Sequence, residues 1–126
     1  MRVIRLLPIA LLPIALSAPS SPPDPAGFDV ERVADGVYAV VRREPAGLWF
    51  EANNAFVVGD DGVVVVDANF SVAATREVIA AIRRVTPKPV RYVVNTHWHD
   101  DHITGNRAYR DAFPGVEFVG HATARP

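Results

Sequence analysis

One polar stretch limits the possible folds of this sequence more than any other, because it directly follows a strand that must be buried. Val90 to Asn95 is rich in β-branched residues and predicts a strand. Three of the four histidines of the chain fall in the seven residues after it, in the order Thr96-His97-Trp98-His99-Asp100-Asp101-His102. The fold must therefore bring a core strand to the surface at a cluster of imidazoles and carboxylates.

The spacing within this cluster predicts a metal site. In extended backbone, side chains alternate between two sides, so His97, His99 and Asp101 are expected on one side. A helix beginning near His102 would turn that imidazole back toward them. Imidazole and carboxylate ligands suit zinc, and a chain without cysteine favours an open catalytic site over a structural one. The alternative is a surface histidine cluster that binds no metal.

The surrounding elements predict an α/β arrangement with the cluster at the end of a strand. The expected strands are Phe28–Val33, Val37–Val41, Asn54–Val58, Val63–Val66, Val90–Asn95 and Val116–Val119. The expected helices run from Ser71, as the cap, to about Val85 and from Ile103 to Phe113. The four consecutive valines at 63–66 are typical of a strand that is buried on both faces.

The first helix has a clear apolar stripe. The residues expected to face the core are Val72, Val78, Ile79, Ile82 and Val85. Arg76, Arg83 and Arg84 lie away from the stripe and are expected to face solvent.

The first residues indicate export. Arg2 and Arg5 precede an apolar run of about eleven residues, which is shorter than the roughly 20 that a membrane span needs. Small residues follow, so we expect a signal peptide at 1–18, a Pro/Ser-rich linker at 19–27 and a domain at 28–126. We therefore expect a periplasmic or secreted protein that is not attached to the membrane once the signal peptide has been cleaved. A short membrane anchor or a misread start codon are the alternatives.

Composition excludes several classes of function. The formal net charge is −1, which argues against a nucleic-acid partner. The absence of cysteine excludes disulfides, thiolate metal sites and a cysteine nucleophile. A small-molecule substrate is the expected partner, and the sequence leaves the oligomeric state open.

The His97-x-His99-x-Asp101-His102 pattern resembles the metallo-β-lactamase superfamily. Asn95-Thr96 before it and Gly105-Asn106 after it strengthen the resemblance, as do the segments 53–58 and 63–67 upstream. The similarity extends from Phe28 to the end of the chain. It implies an αββα four-layer sandwich, of which this sequence would supply the N-terminal half.

The resemblance also implies roles for individual residues. His97 and His99 would bind one zinc ion, and Asp101 and His102 a second. Asp101 would also act catalytically, by relaying a proton to the leaving group. Asp67 would lie near the site without ligating, although a simple turn aspartate is the alternative.

The function implied is a zinc hydrolase that attacks a lactam, lactone, thioester or phosphoester with metal-activated hydroxide. The remaining ligands are expected beyond Pro126, so the fragment alone is expected to be inactive. His121 is not expected to ligate. An iron-dependent oxidoreductase on the same fold and a non-catalytic metal-binding remnant are the alternatives.

Overall fold

The computed structural model describes residues 27–43 and 51–124. Its elements are β1 (Phe28–Ala34), β2 (Val37–Arg42), β3 (Asn54–Val58), β4 (Val63–Val66), α1 (Val72–Val85), β5 (Val90–Val94), α2 (Asp100–Ile103), α3 (Asn106–Ala112), β6 (Glu117–Val119) and a 3₁₀ turn (Ala122–Ala124). The expected strands are confirmed, with ends that differ by one residue. The expected signal peptide and the linker up to residue 26 lie outside the described residues.

Six strands form one sheet in chain order, from β1 to β6. The first four are antiparallel neighbours joined by short connections, whereas β4–β5 and β5–β6 are parallel pairs with a helical crossover between them. Val66 pairs with Val94 at the carboxyl ends of β4 and β5. The residues that follow these two strands therefore emerge at the same edge of the sheet.

The core lies between one face of the sheet and the two longer helices. Phe56, Val65 and Val93 of the sheet are fully buried against a set of helix side chains that includes Ile82 and Tyr109. The apolar stripe of α1 is confirmed at Val78, Ile79 and Ile82, and the three arginines are exposed. Val85 was expected in the core but is 37% exposed, because it is the last residue of the helix.

The other face of the sheet is apolar and partly accessible. Val64 and Val66 are only half-buried, so the expectation that β4 is buried on both faces is wrong for this part of the chain. Both helices that pack on the sheet belong to the opposite core, which explains the difference. Other apolar side chains on strands are exposed, namely Val33, Val57, Tyr92 and Val119.

The second expected helix is in fact two short helices, α2 and α3, separated at Thr104 and Gly105. The first begins at Asp100, earlier than expected, and the carboxylates of its first turn favour the positive end of a helix. The break arises because Gly105 approaches another loop closely. Its amide donates to the Asn69 carbonyl at 2.7 Å, and a Cβ there would lie 1.9 Å from Thr75 Oγ1.

Ser71 caps α1 as the sequence predicts. Its Oγ accepts a hydrogen bond from the Ala74 amide at 3.0 Å, and its own amide donates to Glu51 Oε2. Within the described ranges, none of the helices is long and apolar enough to span a bilayer.

Tyr109 is the largest fully buried side chain, and its hydroxyl has no hydrogen-bond partner among the described residues. Burial raises the pKa of this phenol. We expect Tyr109→Phe to stabilise the protein at neutral pH by about 1 kcal/mol, because an unsatisfied buried hydroxyl is costly. Urea unfolding at pH 7 measures the change.

The same substitution tests the pH dependence. The folded protein holds the phenol neutral, whereas the unfolded chain ionises near its ordinary pKa of about 10. Stability from this group is therefore complete below pH 10 and is lost as pH rises above it. Wild type should lose more stability than Tyr109→Phe between pH 9 and 11, and equal losses would contradict the assignment.

Candidate metal centre

The site begins where β4 and β5 end. Asp67 follows β4, and its amide donates to the Val94 carbonyl at 2.8 Å. Asp67 has a φ of 62°, which places a non-glycine residue in the left-handed region. This backbone turns the chain sharply at the sheet edge and directs the Asp67 side chain toward the loop that follows β5.

The Asp67 carboxylate, 5% exposed, holds that loop at three points. Its Oδ1 accepts from the Thr96 amide at 2.8 Å, and its Oδ2 accepts from Thr96 Oγ1 at 2.8 Å. Oδ2 also lies 2.9 Å from His102 Nδ1. Asp67 is thus both a turn residue and a partner of the histidine cluster, which joins the two readings that the sequence left as alternatives.

The hydrogen bonds around Asp67 show which ring nitrogen carries a proton in two of the imidazoles. The Thr96 hydroxyl carries one hydrogen and gives it to Asp67, so it accepts from His97 Nδ1, which is 2.9 Å away. A carboxylate only accepts, so His102 Nδ1 donates to it. Both rings therefore carry a proton on Nδ1, so the lone pair of the neutral ring lies on Nε2, the nitrogen through which such a histidine binds a metal.

All four residues of the expected ligand set lie together. The His97 ring centroid is 4.6 Å from that of His99 and 4.0 Å from that of His102. Asp101 Oδ2 lies 3.2 Å from His102 Nε2. Asp101 arrives on the first turn of α2, and not on an extended segment as expected from the alternation. Trp98 is 64% exposed, with its ring against the edge of His99.

This donor set fits zinc in kind and, for one pair, in distance. In a tetrahedral site with bonds of about 2.1 Å, two ligating atoms lie about 3.4 Å apart, close to the 3.2 Å between Asp101 Oδ2 and His102 Nε2. Within residues 27–43 and 51–124, however, no three His, Cys, Asp or Glu side chains are already arranged around one ion position. Among these residues the cluster therefore provides neighbouring donors and not a complete set of ligands around one ion.

A buried amide pair supports the Asp67 turn from behind. Asn54 Nδ2 donates to the carbonyls of Asp67 and Ala68 at 3.1 and 2.8 Å. Its Oδ1 accepts from Asn69 Nδ2 at 2.9 Å. Asn54 and Asn69 are 5% and 0% exposed, so these bonds form away from water. They hold the left-handed turn in place.

A second amide pair supports the motif itself. Asn95 Nδ2 donates to the His102 carbonyl at 3.0 Å, and Asn95 exchanges hydrogen bonds with the Asn106 side chain at 2.7 and 3.3 Å. The Ala68 amide donates to the same His102 carbonyl at 2.9 Å. These contacts fix the position at which α2 presents Asp101 and His102.

The sequence indicated these supporting residues only as marks of similarity. Asn54, Asn95 and Asn106 lie at strand or helix ends, and Asn69 lies in a loop, where polar residues are common and carry little signal. Their partners become visible only when β3, β4 and β5 are side by side. His121 is exposed, with Nδ1 2.7 Å from Thr123 Oγ1, and no ring contact between described residues joins it to the motif.

Comparisons with known proteins agree with this geometry. The chain is 41% identical to the linear primary-alkylsulfatase of Pseudomonas sp. (strain ATCC 19151) over 49 residues, which are 39% of this chain and 9% of that protein. Its fold matches the mono-zinc form of the metallo-β-lactamase FIM-1 from Pseudomonas aeruginosa with a TM-score of 0.64 and 24% identity, over 77% of this chain and 43% of that one. A metallo-β-lactamase from Erythrobacter litoralis also matches with a TM-score of 0.64, at 25% identity over 78% and 43% of the two chains.

The chain thus spans less than half the length of each of these proteins. The part of the chain that matches the two solved structures forms one helix layer and one six-stranded sheet of an αββα sandwich. A sequence profile of the metallo-beta-lactamase superfamily matches residues 48–126, which include the whole motif and its supporting loops. The chain belongs to the metallo-β-lactamase superfamily.

Proposed function

We propose that this chain carries part of the active site of a zinc-dependent hydrolase. His97 and His99 would hold one zinc ion, and Asp101 and His102 a second. The observation that supports this most directly is the hydrogen bonding of Asp67 and Thr96, which engages Nδ1 of both His97 and His102 and makes Nε2 the nitrogen through which each ring would ligate. A surface histidine cluster would have no need for a buried carboxylate that fixes the tautomers.

The chemistry follows from the donor set. When bound, zinc lowers the pKa of a water ligand to about 7 and polarises the bond to be cleaved. Asp67 holds His102 through Nδ1 and fixes the orientation of the ring. Asp101 is 39% exposed in its side chain, so Oδ1 or Oδ2 is accessible to carry a proton to the leaving group.

The substrate is a polar ester, amide or thioester. The fold serves lactam, lactone, thioester or phosphoester hydrolysis equally well, so the metal site alone does not choose among them. The similarity to an alkylsulfatase adds sulfate esters to this set. Iron-dependent oxidation on the same scaffold is the second candidate, since imidazole and carboxylate also bind iron.

Metal reconstitution tests the proposal. The full protein would be treated with a chelator, and zinc or ferrous iron would be returned before assay on chromogenic lactam, lactone, thioester, phosphoester and sulfate ester substrates. Hydrolysis that returns with zinc supports the hydrolase. Oxygen consumption that returns with iron alone would replace it with the oxidoreductase, and metal binding without either reaction would indicate a non-catalytic protein.

Asp67→Asn is expected to lower zinc affinity 10- to 100-fold, the usual effect of losing the partner of a ligating histidine. The Asn Nδ2 would face either the Thr96 amide or the His102 Nδ1 proton, so two donors would meet. Asparagine tolerates the left-handed backbone at this position, which keeps the turn intact. Competition with a chromogenic chelator measures the affinity.

Asp61→Asn is the matched control, because Asp61 lies in the exposed turn before β4. It should leave zinc affinity unchanged. Equal affinities for wild type and Asp67→Asn would show that Asp67 serves the turn alone.

A further inference from the structure

A cleft of about 700 Å³ lies beside the motif, between α3 and the carboxyl end of β6. The motif loop closes one end of it, where His97 and Trp98 form part of the wall. Its size is that of a small-molecule site. A molecule bound in the cleft would therefore lie against one of the proposed metal ligands.

The cleft is positively charged. Arg107 and Arg110, one turn apart on α3, both line it. Among the described residues that line it, none is an aspartate or glutamate, although the chain as a whole has a net charge of −1. Arg107 is 78% exposed in its side chain, and its contact with Asp111 at 3.8 Å exceeds hydrogen-bond distance. Its guanidinium remains available to a second anion.

Part of the lining of the cleft is apolar. Phe118 of β6, Ile103 and Trp98 all contribute to it. The Arg110 guanidinium lies over the Phe118 ring, 5.2 Å from its centroid. This contact holds the charge directly above an apolar surface, so one molecule can reach both.

We propose that this cleft binds an amphiphilic anion, with the charged group on Arg107 and Arg110 and the apolar part on Phe118 and Trp98. Planar guanidinium groups suit oxyanions such as sulfate, phosphate and carboxylate. The proposal rests on the proposed function, because it makes the cleft the substrate-binding extension of the metal site. It narrows the substrates of that site to anionic esters with an apolar chain or ring.

Binding of hexyl sulfate to the full chain tests the cleft without requiring turnover. Trp49→Phe leaves Trp98 as the sole tryptophan, so its emission reports on the cleft. Titrations in the presence of a chelator should show a saturable change with hexyl sulfate. Inorganic sulfate and the neutral hexyl β-glucoside should each bind at least about tenfold more weakly, because each lacks one of the two interactions.

Substitutions assign the binding to the two arginines. Arg107→Gln and Arg110→Gln should each weaken hexyl sulfate binding about tenfold, the effect of one lost charge-assisted contact. Arg110→Lys keeps the charge and should recover part of that loss. Arg76→Gln on α1 is the matched control, since Arg76 is exposed and lies outside the cleft, and it should bind as wild type.

The cleft proposal is overturned if the two glutamine variants bind like wild type, or if the glucoside binds as tightly as hexyl sulfate. Its failure is distinct from failure of the proposed function. Zinc-dependent hydrolysis without hexyl sulfate binding would contradict the cleft proposal and leave the proposed function standing. Hexyl sulfate binding in a protein that hydrolyses none of the esters would contradict the proposed hydrolase function and leave the anion-binding cleft standing.

Discussion

Replacing His97 and His99 together by alanine is expected to lower zinc affinity at least 100-fold. Loss of a supporting partner alone costs 10- to 100-fold, and these two rings would be ligands themselves. Zinc at 100 times the wild-type dissociation constant should stabilise wild type by about 2.7 kcal/mol, and the double variant at the same concentration by about 0.4 kcal/mol or less. Thermal unfolding with and without zinc measures both effects.

His121→Ala is the control for this experiment. It removes an imidazole from the same half of the chain, but His121 is exposed and its Nδ1 lies beside Thr123 Oγ1. We expect wild-type zinc affinity and the full zinc-dependent shift in the unfolding temperature. If His121→Ala lowered zinc affinity as much as the double substitution does, the motif would not be the specific zinc site.

Gly105→Ala is expected to destabilise the protein by about 3 kcal/mol, the upper part of the usual range for overpacking. A Cβ at Gly105 would lie 1.9 Å from Thr75 Oγ1 and 2.8 Å from the Asn69 carbonyl oxygen. The second contact is with backbone, which cannot rotate away. Urea unfolding at an unchanged m-value measures the loss.

Two further variants assign that loss to the contact itself. At Gly59 a Cβ would meet only the Gly62 carbonyl oxygen, at an ordinary 3.5 Å, so Gly59→Ala should cost well under 1 kcal/mol. Thr75→Ala combined with Gly105→Ala removes the hydroxyl contact and leaves the carbonyl contact, so rescue should be partial. A stable Gly105→Ala protein would mean that the Asn69 loop and α3 move apart freely.

Much of the fold could be predicted from local pattern. The β-branched runs predict β4 and β5 because their side chains pack in one core, and the spacing of Val78, Ile79 and Ile82 predicts the buried face of α1. Local sequence pattern did not predict features that depend on packing between segments distant in sequence. The break at Gly105 depends on Thr75 and Asn69, which are 30 and 36 positions away in sequence.

The site shows the same division. The ligand set follows from spacing along six residues, 97–102, and from resemblance, so the sequence predicts which side chains should meet. The Asp67 contacts that position them are distant in sequence, 29 residues from Thr96 and 35 residues from His102. Parallel pairing of β4 with β5 creates those contacts, and no local motif encodes it.

Asp67 carries two demands that rarely fall on one position. Its backbone lies where glycine, asparagine and aspartate are the comfortable residues, and its side chain must accept three hydrogen bonds. Glycine meets the first demand and fails the second, and glutamate does the reverse. Substitution at position 67 is therefore expected to sacrifice either the turn or the partner of His102.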